Sequence, residues 1–162
     1  MMLKQLECEF SDTIAPAELL DFYARQKHCV NASDGEIERM LKQSTCVVGA
    51  RIDGKLVGIG RGICDGVTGF LMECKLDPAF QGPGAVTHTD GRIEHDEHGI
   101  AQKLASRVLE ALRSAGAENI RTLVYGTEVD FCEELGFKRD GALIPLSLDP
   151  AEYAARRAGG SV

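Results

Sequence analysis

The chain has 162 residues, 44% of them hydrophobic and 27% charged, which is enough for one globular domain with a substantial core. A formal net charge of −7 and the lack of any Lys/Arg run argue against a nucleic-acid partner, because phosphate binding needs a basic patch. No apolar run approaches the length of a membrane span, and the segment MMLKQLECEF lacks the apolar core of a signal peptide. These features predict a cytoplasmic protein without membrane contact.

The six cysteines show no spacing typical of a metal site, because no two of them form a CxxC pair. Three of them, Cys46, Cys64 and Cys74, lie inside apolar runs, where cysteine behaves as a small hydrophobic residue. The pattern predicts reduced core thiols, as expected in the cytoplasm.

In the first part of the chain, the sequence predicts one strand followed by two helices. Residues 3–10 alternate between apolar and polar side chains, which favours a strand. Residues 15–28 are typical of a helix with Pro16 in its first turn. A second helix is predicted from Ser33, since Ser33 and Glu36 have the spacing of a capping box.

The middle of the chain predicts a three-stranded antiparallel meander. Three apolar, β-branched runs cover residues 45–52, 55–64 and 67–76, and an Asp-Gly pair separates each run from the next. Asp-Gly between apolar runs favours a hairpin with a type I′ turn, whose two central residues need positive φ. The third strand should end at Asp77-Pro78, since proline has no N–H for pairing.

The last part of the chain predicts a helix over 99–116, a strand over 119–126, a short helix over 128–137 and a final strand over 141–148. The first of these helices would connect the strands 67–76 and 119–126 as a crossover, which makes that pair parallel. The whole order predicts an α+β fold with a mixed, mostly antiparallel central sheet and helices on both faces. We expect a single domain over residues 1–150 and a C-terminal tail over 151–162.

This order resembles that of the GNAT superfamily of acyl-CoA-dependent N-acyltransferases. Three motifs carry the resemblance: the hairpin VVGARIDGKLVGIGRGICDG, the segment LDPAFQGPG followed later by GIAQKL, and DFCEELGF. The resemblance implies a GNAT-like fold and acetyl-CoA as co-substrate. It further implies transfer to a primary amine, either of a small molecule or of a protein amino group, and a homodimer.

The second motif would hold the pyrophosphate of the cofactor. Backbone N–H groups of a glycine-rich turn and of the first helical turn have no intrahelical partner, and the helix dipole favours an anion there. Fourteen residues, 85–98, separate Gly84 from Gly99. The motif is therefore either contiguous over residues 81–86 or split, and we favour the split form because the apolar phase of the helix begins at Gly99.

The split form assigns a set of residues to acetyl-CoA. Those expected at the pyrophosphate are Gln81, Gly82, Gly84, Gly99, Ile100, Ala101 and Gln102. The resemblance implies that the backbone around Lys75 and Leu76 pairs with the pantetheine arm as an added strand.

Residues 85–98, here called the insert, allow three interpretations. The insert is rich in His, Asp and Glu: His88, Asp90, Glu94, His95, Asp96, Glu97 and His98. These side chains suit a divalent metal, but their spacing matches no standard ligand pattern. We therefore expect a solvated, mobile loop without a metal ion. The third interpretation, a lid over the cofactor, is opposed by the acidity of the insert.

Acyl transfer to an amine needs a deprotonated amine, a stabilised oxyanion and a proton for the departing thiolate. The resemblance places Cys132 where relatives commonly have a tyrosine acid, and Tyr125 is the alternative acid. Glu73 stands in the fourth strand where relatives often carry an acidic base. Each residue also has a structural interpretation: Cys132 as packing, Tyr125 as a strand aromatic and Glu73 as part of a polar network.

Two functions remain open from the sequence. One is an N-acetyltransferase that uses acetyl-CoA. The other is a non-catalytic acyl-CoA-binding or protein-interaction module with a GNAT-like fold. The sequence does not name the acceptor, because its pocket is built from segments without a readable motif.

Overall fold

The computed structural model describes residues 7–26, 32–82 and 86–159. The elements in chain order are β1 (Glu9–Ser11), α1 (Pro16–Arg25), α2 (Asp34–Gln43), β2 (Cys46–Ile52), β3 (Lys55–Cys64), β4 (Thr68–Leu76), α3 (Ile100–Ser114), β5 (Asn119–Thr122), α4 (Val129–Glu134) and α5 (Pro150–Ala158). Short 3-10 turns lie at Pro78–Phe80 and Gly126–Glu128.

The five strands form one sheet in the order β1-β2-β3-β4-β5. All neighbours are antiparallel except β4 and β5, which are parallel and are joined through α3. The predicted α+β class, the mixed sheet and the crossover are confirmed.

Helices cover both faces of the sheet, as predicted. The apolar stripe of α3, with Leu104, Val108 and Leu112, packs on one face and forms the larger core cluster. Leu19 and Phe22 of α1 belong to a second cluster on the other face. Strand β3 admits α3 closely because of its glycines: a Cβ added to Gly60 would lie only 2.9 Å from Val108 Cγ2.

The two Asp-Gly turns differ from each other. Asp53 and Gly54 both have positive φ, 51° and 76°, which confirms the predicted type I′ turn. At the second turn only Gly66 has positive φ, at 100°. The Asp65 carboxylate instead accepts hydrogen bonds from the N–H groups of Val67 and Thr68. The prediction of a second type I′ turn is therefore wrong, because the Asp65 side chain closes a wider loop.

The predicted final strand over 141–148, here called the C-terminal arm, is wrong. The arm belongs to no strand in the described part of the chain, and all its residues are exposed. Its apolar residues include Leu143, Ile144, Leu146 and Leu148, which are 53%, 79%, 92% and 71% exposed. A strand needs a neighbouring strand, and β5 ends at Thr122 without pairing with the arm.

Helix α5, which follows the arm, has no buried residue either. No helix in the described part of the chain is long and apolar enough to cross a membrane. The five cysteines described, Cys8, Cys46, Cys64, Cys74 and Cys132, are free thiols.

Candidate active site

A cleft opens where β4 and β5 separate. The two strands pair only from Thr68 to Leu71 and from Asn119 to Thr122. Beyond these pairs the chains diverge and leave a cleft of about 220 Å³. Its lining residues are Leu71–Lys75 on one side and Thr122–Tyr125, Glu128, Phe131 and Cys132 on the other.

A β-bulge at Met72 shapes one wall of this cleft. The β3–β4 register passes from Gly62 opposite Leu71 to Arg61 opposite Glu73, which leaves Met72 as the extra residue. Bulges bend a strand and redirect the side chains that follow. The bulge thus determines how Glu73 stands at the wall of the cleft.

The Glu73 carboxylate is held from the side of α1. The Tyr23 hydroxyl donates to Glu73, with O–O distances of 2.6 and 2.8 Å to its two oxygens. Burial and the adjacent carboxylate raise the pKa of Tyr23, so this phenol remains protonated and can donate. Arg61 Nε lies 3.9 Å from Glu73 Oε1 and has no hydrogen-bond partner among the described residues. Glu73 therefore belongs to a polar network and lines the cleft as well.

Tyr125 and Cys132 line the same cleft from the β5 side. Tyr125 is half exposed, and the guanidinium carbon of Arg92 lies 3.6 Å from the centre of its ring. Cys132 is only 5% exposed, and burial together with the nearby Glu128 raises the pKa of its thiol to about 11. The structure thus brings together Glu73, Tyr125 and Cys132, the three residues that the sequence suggested for catalysis.

Glu128 is a further residue of the site that the sequence analysis missed. Its carboxylate is buried and accepts hydrogen bonds from the backbone N–H of Ile93 at 3.0 Å and of Tyr125 at 3.3 Å. No sequence signal separates it from the other acidic residues near α4. It links the turn after β5 to the insert.

The N-terminus of α3 lies beside Cys74 of the cleft wall and already holds a carboxylate. Cys74 of β4 lies beside the first turn of α3, with its sulfur 3.8 Å from the Ala101 carbonyl oxygen. The two oxygens of Asp96 accept hydrogen bonds from the backbone N–H groups of Ala101 and Gln102, both at 2.9 Å. Burial raises the pKa of Asp96, while these N–H groups oppose the rise. The chain's own carboxylate therefore sits on the N–H groups expected to bind the pyrophosphate.

No protein-family model matches the sequence, and a search of curated proteins finds no similar sequence. Solved structures are similar in fold. An acetyltransferase of Trypanosoma brucei superposes with a TM-score of 0.65 at 16% identity, over 88% of this chain and 100% of its own. A GNAT-family acetyltransferase of Streptococcus pneumoniae gives a TM-score of 0.64 at 17% identity, over 90% of this chain and 98% of its own.

The chain has the GNAT fold. Glucosamine-6-phosphate N-acetyltransferase of Arabidopsis thaliana shares it as well, with a TM-score of 0.65 at 11% identity over 88% of this chain and 99% of its own. These likenesses extend over most of the chain, and at such identities they concern the fold.

Within this GNAT fold, the side chain of Gln81 points into the protein, although the split motif placed it at the phosphates. Its side chain is fully buried and makes four hydrogen bonds. The amide donates to the carbonyls of Leu76 and Arg92, both at 2.9 Å, and the side-chain oxygen accepts from the N–H groups of Glu94 and His95 at 3.0 and 3.1 Å. Gln81 therefore fastens the insert to the end of β4.

Lys75 and Leu76 were expected to pair with pantetheine through their backbone, but these backbone groups face other parts of the protein. The Leu76 N–H donates to the Gly91 carbonyl of the insert at 2.9 Å. The Lys75 carbonyl faces β3, since it lies 3.0 Å from the position that a Cβ on Gly58 would take. Neither residue presents a free backbone N–H and C=O pair to the cleft in this arrangement.

Three glycines complete the expected cofactor set. Glu97 covers Gly82, because a Cβ on Gly82 would lie 2.6 Å from Glu97 Oε2. Gly84 lies outside the described residues. Gly99 has φ of 69° and directly precedes Ile100, the first residue of α3, which agrees with a helix that starts at the second half of the split motif.

The insert is attached to the core at Ile93, contrary to the expectation of a solvated loop. Ile93 is 1% exposed and packs in the same core cluster as α3. Arg92 donates to both oxygens of Asp90 and lowers the pKa of that carboxyl to about 2. Glu94 accepts hydrogen bonds from Thr87 and His88. These contacts give the insert a defined structure.

Among the residues that the structure describes, no three His, Cys, Asp or Glu side chains are grouped so that they could hold a metal ion. The carboxylates of Asp90, Glu94 and Asp96 instead accept hydrogen bonds from neighbouring side chains or backbone N–H groups.

Proposed function

We propose that this protein is an acetyltransferase that transfers the acetyl group of acetyl-CoA to a primary amine, either of a small molecule or of a protein. The observation that carries the proposal is the position of the β4–β5 cleft beside the α3 N-terminus, where two adjacent N–H groups hold a carboxylate. A helix N-terminus that binds a carboxylate has the donors and the dipole to bind a phosphate. The GNAT fold supports the same assignment.

The proposed route of the cofactor starts at the N–H groups of Ala101 and Gln102, which would bind the pyrophosphate. The pantetheine arm would then run along β4 at Cys74. Consecutive residues of a strand direct their backbone groups to opposite edges, and Leu76 directs its N–H away from β3. Two residues earlier, Cys74 therefore presents its N–H and C=O to the cleft. The proposal moves the pantetheine contact from Lys75 and Leu76 to Cys74.

In the proposed reaction, the amine nitrogen attacks the thioester carbonyl carbon, and the C–S bond then breaks. The amine loses one proton, and the CoA thiolate takes one up. We assign the first transfer to Glu73, directly or through water, and the second to Tyr125. Cys132 is a poor donor, because its pKa of about 11 lies above the ordinary thiol value of about 8.5. Cys132 is also only 5% exposed, whereas Tyr125 is half exposed in the cleft.

The cofactor and the insert compete for the same donors in this proposal. Acetyl-CoA has to displace Asp96 from the α3 N-terminus. The neighbouring surface is acidic, with Asp96, Glu97 and Glu134 around one pocket, and it would repel a pyrophosphate. Binding therefore requires that the segment around Asp96 moves outward.

A second candidate function, a non-catalytic protein-interaction module, is favoured by one observation. Ile93 anchors the insert in the core, so an outward movement that includes this residue would expose a buried side chain. If the insert stays in place, the cofactor site remains filled and the fold serves only as a binding surface.

Calorimetric titration of acetyl-CoA into the wild type and Asp96→Ala, followed by a thiol-release assay with a panel of amines, separates the two candidates. The acetyltransferase proposal expects binding, tighter by about tenfold or more in Asp96→Ala, and amine-dependent thiol release. Glu118→Gln is a matched control, since it removes one exposed acidic charge away from α3's N-terminus and should leave the affinity unchanged. No binding to either protein would overturn the proposal and support the second candidate.

A further inference from the structure

Arg61 is the most buried of the ion-paired arginines in the described part of the chain, and it makes the weakest contacts. Its side chain is 12% exposed, against 23%, 19% and 15% for Arg25, Arg51 and Arg92. Each of those three donates a hydrogen bond of 2.7 Å to an oxygen. The bond from Arg61 Nη1 to Ser44 Oγ is 3.5 Å long, and the buried Nε has no partner among the described residues. A guanidinium has five N–H donors, so Arg61 keeps donors available for an anionic ligand.

Arg61 lies beside Glu73, the proposed base. A Cβ added to Gly60 or Gly62 would come within 2.9 or 2.7 Å of Val108 on α3. Because neighbouring residues of a strand point to opposite faces, the Arg61 side chain points to the face that carries α1 and α2. It stands directly opposite Glu73 in the register of β3 and β4. Arg61 Nε and Glu73 Oε1 are 3.9 Å apart, which is too far for a hydrogen bond, so the two groups lie side by side without closing on each other.

We propose that Arg61 binds a carboxylate of the acetyl acceptor, and that the acceptor is an amino acid with its amine and carboxylate on the same or adjacent carbons. The inference rests on the proposed function and names its substrate class. Arg61 and Glu73 present a positive and a negative group next to each other, and a ligand with an ammonium next to a carboxylate is the complement of that pair. The amine would lie at Glu73, where its proton is taken, and the carboxylate at the guanidinium.

The spacing of the two side chains limits the length of the ligand. Since Arg61 Nε and Glu73 Oε1 are 3.9 Å apart, an acceptor that contacts both has to carry its amine and its carboxylate close together. An α-amino or β-amino acid meets this condition. The α-amino group of a protein is followed by a peptide carbonyl and not by a carboxylate. The inference therefore selects a small molecule from the acceptors that the proposed function allows.

The charge balance favours a carboxylate over a phosphate. Among the described residues, Arg61 is the single cation paired with the Glu73 carboxylate. A carboxylate adds one negative charge, which one guanidinium can bind with two parallel hydrogen bonds. A phosphate group adds a charge of about −1.5 to −2 at neutral pH and would be repelled by Glu73. An amine that carries a phosphate is therefore expected to be the poorer ligand.

Thiol release with a panel of α-amino acids, each compared with its carboxamide, tests the inference. The carboxamide keeps the amine and the side chain but has no negative charge. The acid-to-amide ratio of kcat/KM should fall by about tenfold or more from the wild type to Arg61→Gln, because a site built to bind a group discriminates against the analogue that lacks it. Arg61→Lys, which keeps the charge and loses the planar fork, should fall between them. The comparison between proteins removes the difference in amine basicity between an acid and its amide.

A control variant and the ratio itself separate ligand binding from a structural role. Arg51→Gln is the matched control, since Arg51 is a similarly buried arginine that pairs with Glu18, and neither of these residues lines the cleft. It should keep the wild-type ratio. If Arg61 only holds Glu73 in place, Arg61→Gln lowers kcat for acids and amides alike and leaves the ratio unchanged, which would overturn the inference.

Calorimetric titration without acetyl-CoA measures the same contact independently of turnover, with circular dichroism as a check on folding. The wild type should bind the amino acids about tenfold or more tightly than their carboxamides, and Arg61→Lys should narrow this difference. Tighter binding of O-phosphoethanolamine than of β-alanine would overturn the choice of a carboxylate.

The two measurements distinguish a failure of this inference from a failure of the proposed function. Thiol release that keeps the same acid-to-amide ratio in Arg61→Gln would leave the acetyltransferase in place and overturn the amino-acid site. The absence of thiol release with every amine, together with acid-selective binding that depends on Arg61, would reject the acetyltransferase and support the amino-acid site.

Discussion

The carboxylate of Asp96 accepts a hydrogen bond from the backbone N–H of Ala101 at 2.9 Å, and its second oxygen binds the next N–H of α3. Helix α3 begins with Gly99 in the left-handed conformation, which leaves no side chain at its N-cap to bind these N–H groups. Asp96 supplies the missing acceptor from three residues upstream. The same contact stabilises the helix and fills its anion site.

Substitution of Asp96 should separate the capping role from the charge. Asp96→Ala removes the acceptor for two N–H groups and should lower the free energy of unfolding by about 1 kcal/mol, as loss of a cap does. Asp96→Asn keeps one acceptor and removes a charge whose burial raises its pKa, so it should cost less. Urea unfolding of both variants measures the difference. If Asn costs as much as Ala, the carboxylate charge is itself the main stabilising feature.

Ile93 should matter far more for stability than a residue of a solvated loop. It is 1% exposed, so Ile93→Ala creates a cavity and should lower the free energy of unfolding by about 2–4 kcal/mol. Ile63→Ala is the matched control, since Ile63 is 39% exposed and the same change should cost well under half as much. Thermal and urea unfolding measure both variants. Equal small losses would show that the insert is detached from the core in solution.

The structure explains which features could be predicted from the sequence. The meander and α3 depend on local patterns: Asp53-Gly54 sets a turn, and the stripe from Ile100 to Leu112 sets a helix face. The insert depends on long-range contacts instead. Glu128 binds the N–H of Ile93, 35 residues away in the chain, and no local pattern indicates such a contact.

The C-terminal arm shows a different limit. Its composition favours a strand, but a strand forms only beside another strand, and none in the described part of the chain is paired with it. The sequence also does not predict the open cleft, because the cleft depends on where β4 and β5 stop pairing. The motif positions pointed to the three suggested catalytic residues, and the structure shows that they share this cleft. The occupation of the cofactor site by Asp96 could be seen only in the structure.

Acid should weaken the stabilising Asp90–Arg92 ion pair of the insert in a defined pH range. Arg92 lowers the pKa of Asp90 to about 2, below the ordinary value of about 3.9 in an unfolded chain. Because the folded pKa is the lower one, the stabilisation is fully present above about pH 4 and is lost as the pH falls towards 2. Asp90→Asn should remove this part of the acid dependence and should be less stable than the wild type at pH 6.

Urea unfolding at several pH values from 6 to about 2.5 measures this dependence. Glu110→Gln serves as the control, because Glu110 pairs with Arg113 on the exposed surface of α3 and lies outside the insert. The control should keep most of the wild-type slope below pH 4. If Asp90→Asn and the wild type lose stability in parallel, the Asp90–Arg92 pair does not hold the insert in solution.

Tyr125 and Cys132 give opposite expectations for the proposed reaction. Tyr125 lines the cleft and is half exposed, so its hydroxyl can reach a departing thiolate. Cys132 is buried, and its pKa of about 11 makes the thiol a weak proton donor. Tyr125→Phe should lower kcat by about 10² or more, the usual effect of losing one acid–base group. Cys132→Ala should leave kcat within about threefold of the wild type and lower stability by about 1–2 kcal/mol, because it removes a buried sulfur.

Steady-state thiol release measures both variants, with thermal unfolding as a check on folding. A loss of about 10² in kcat for a stably folded Cys132→Ala, with Tyr125→Phe close to the wild type, would reverse the assignment. The buried thiol would then be the donor despite its raised pKa, and the cleft would have to open around Cys132 during the reaction.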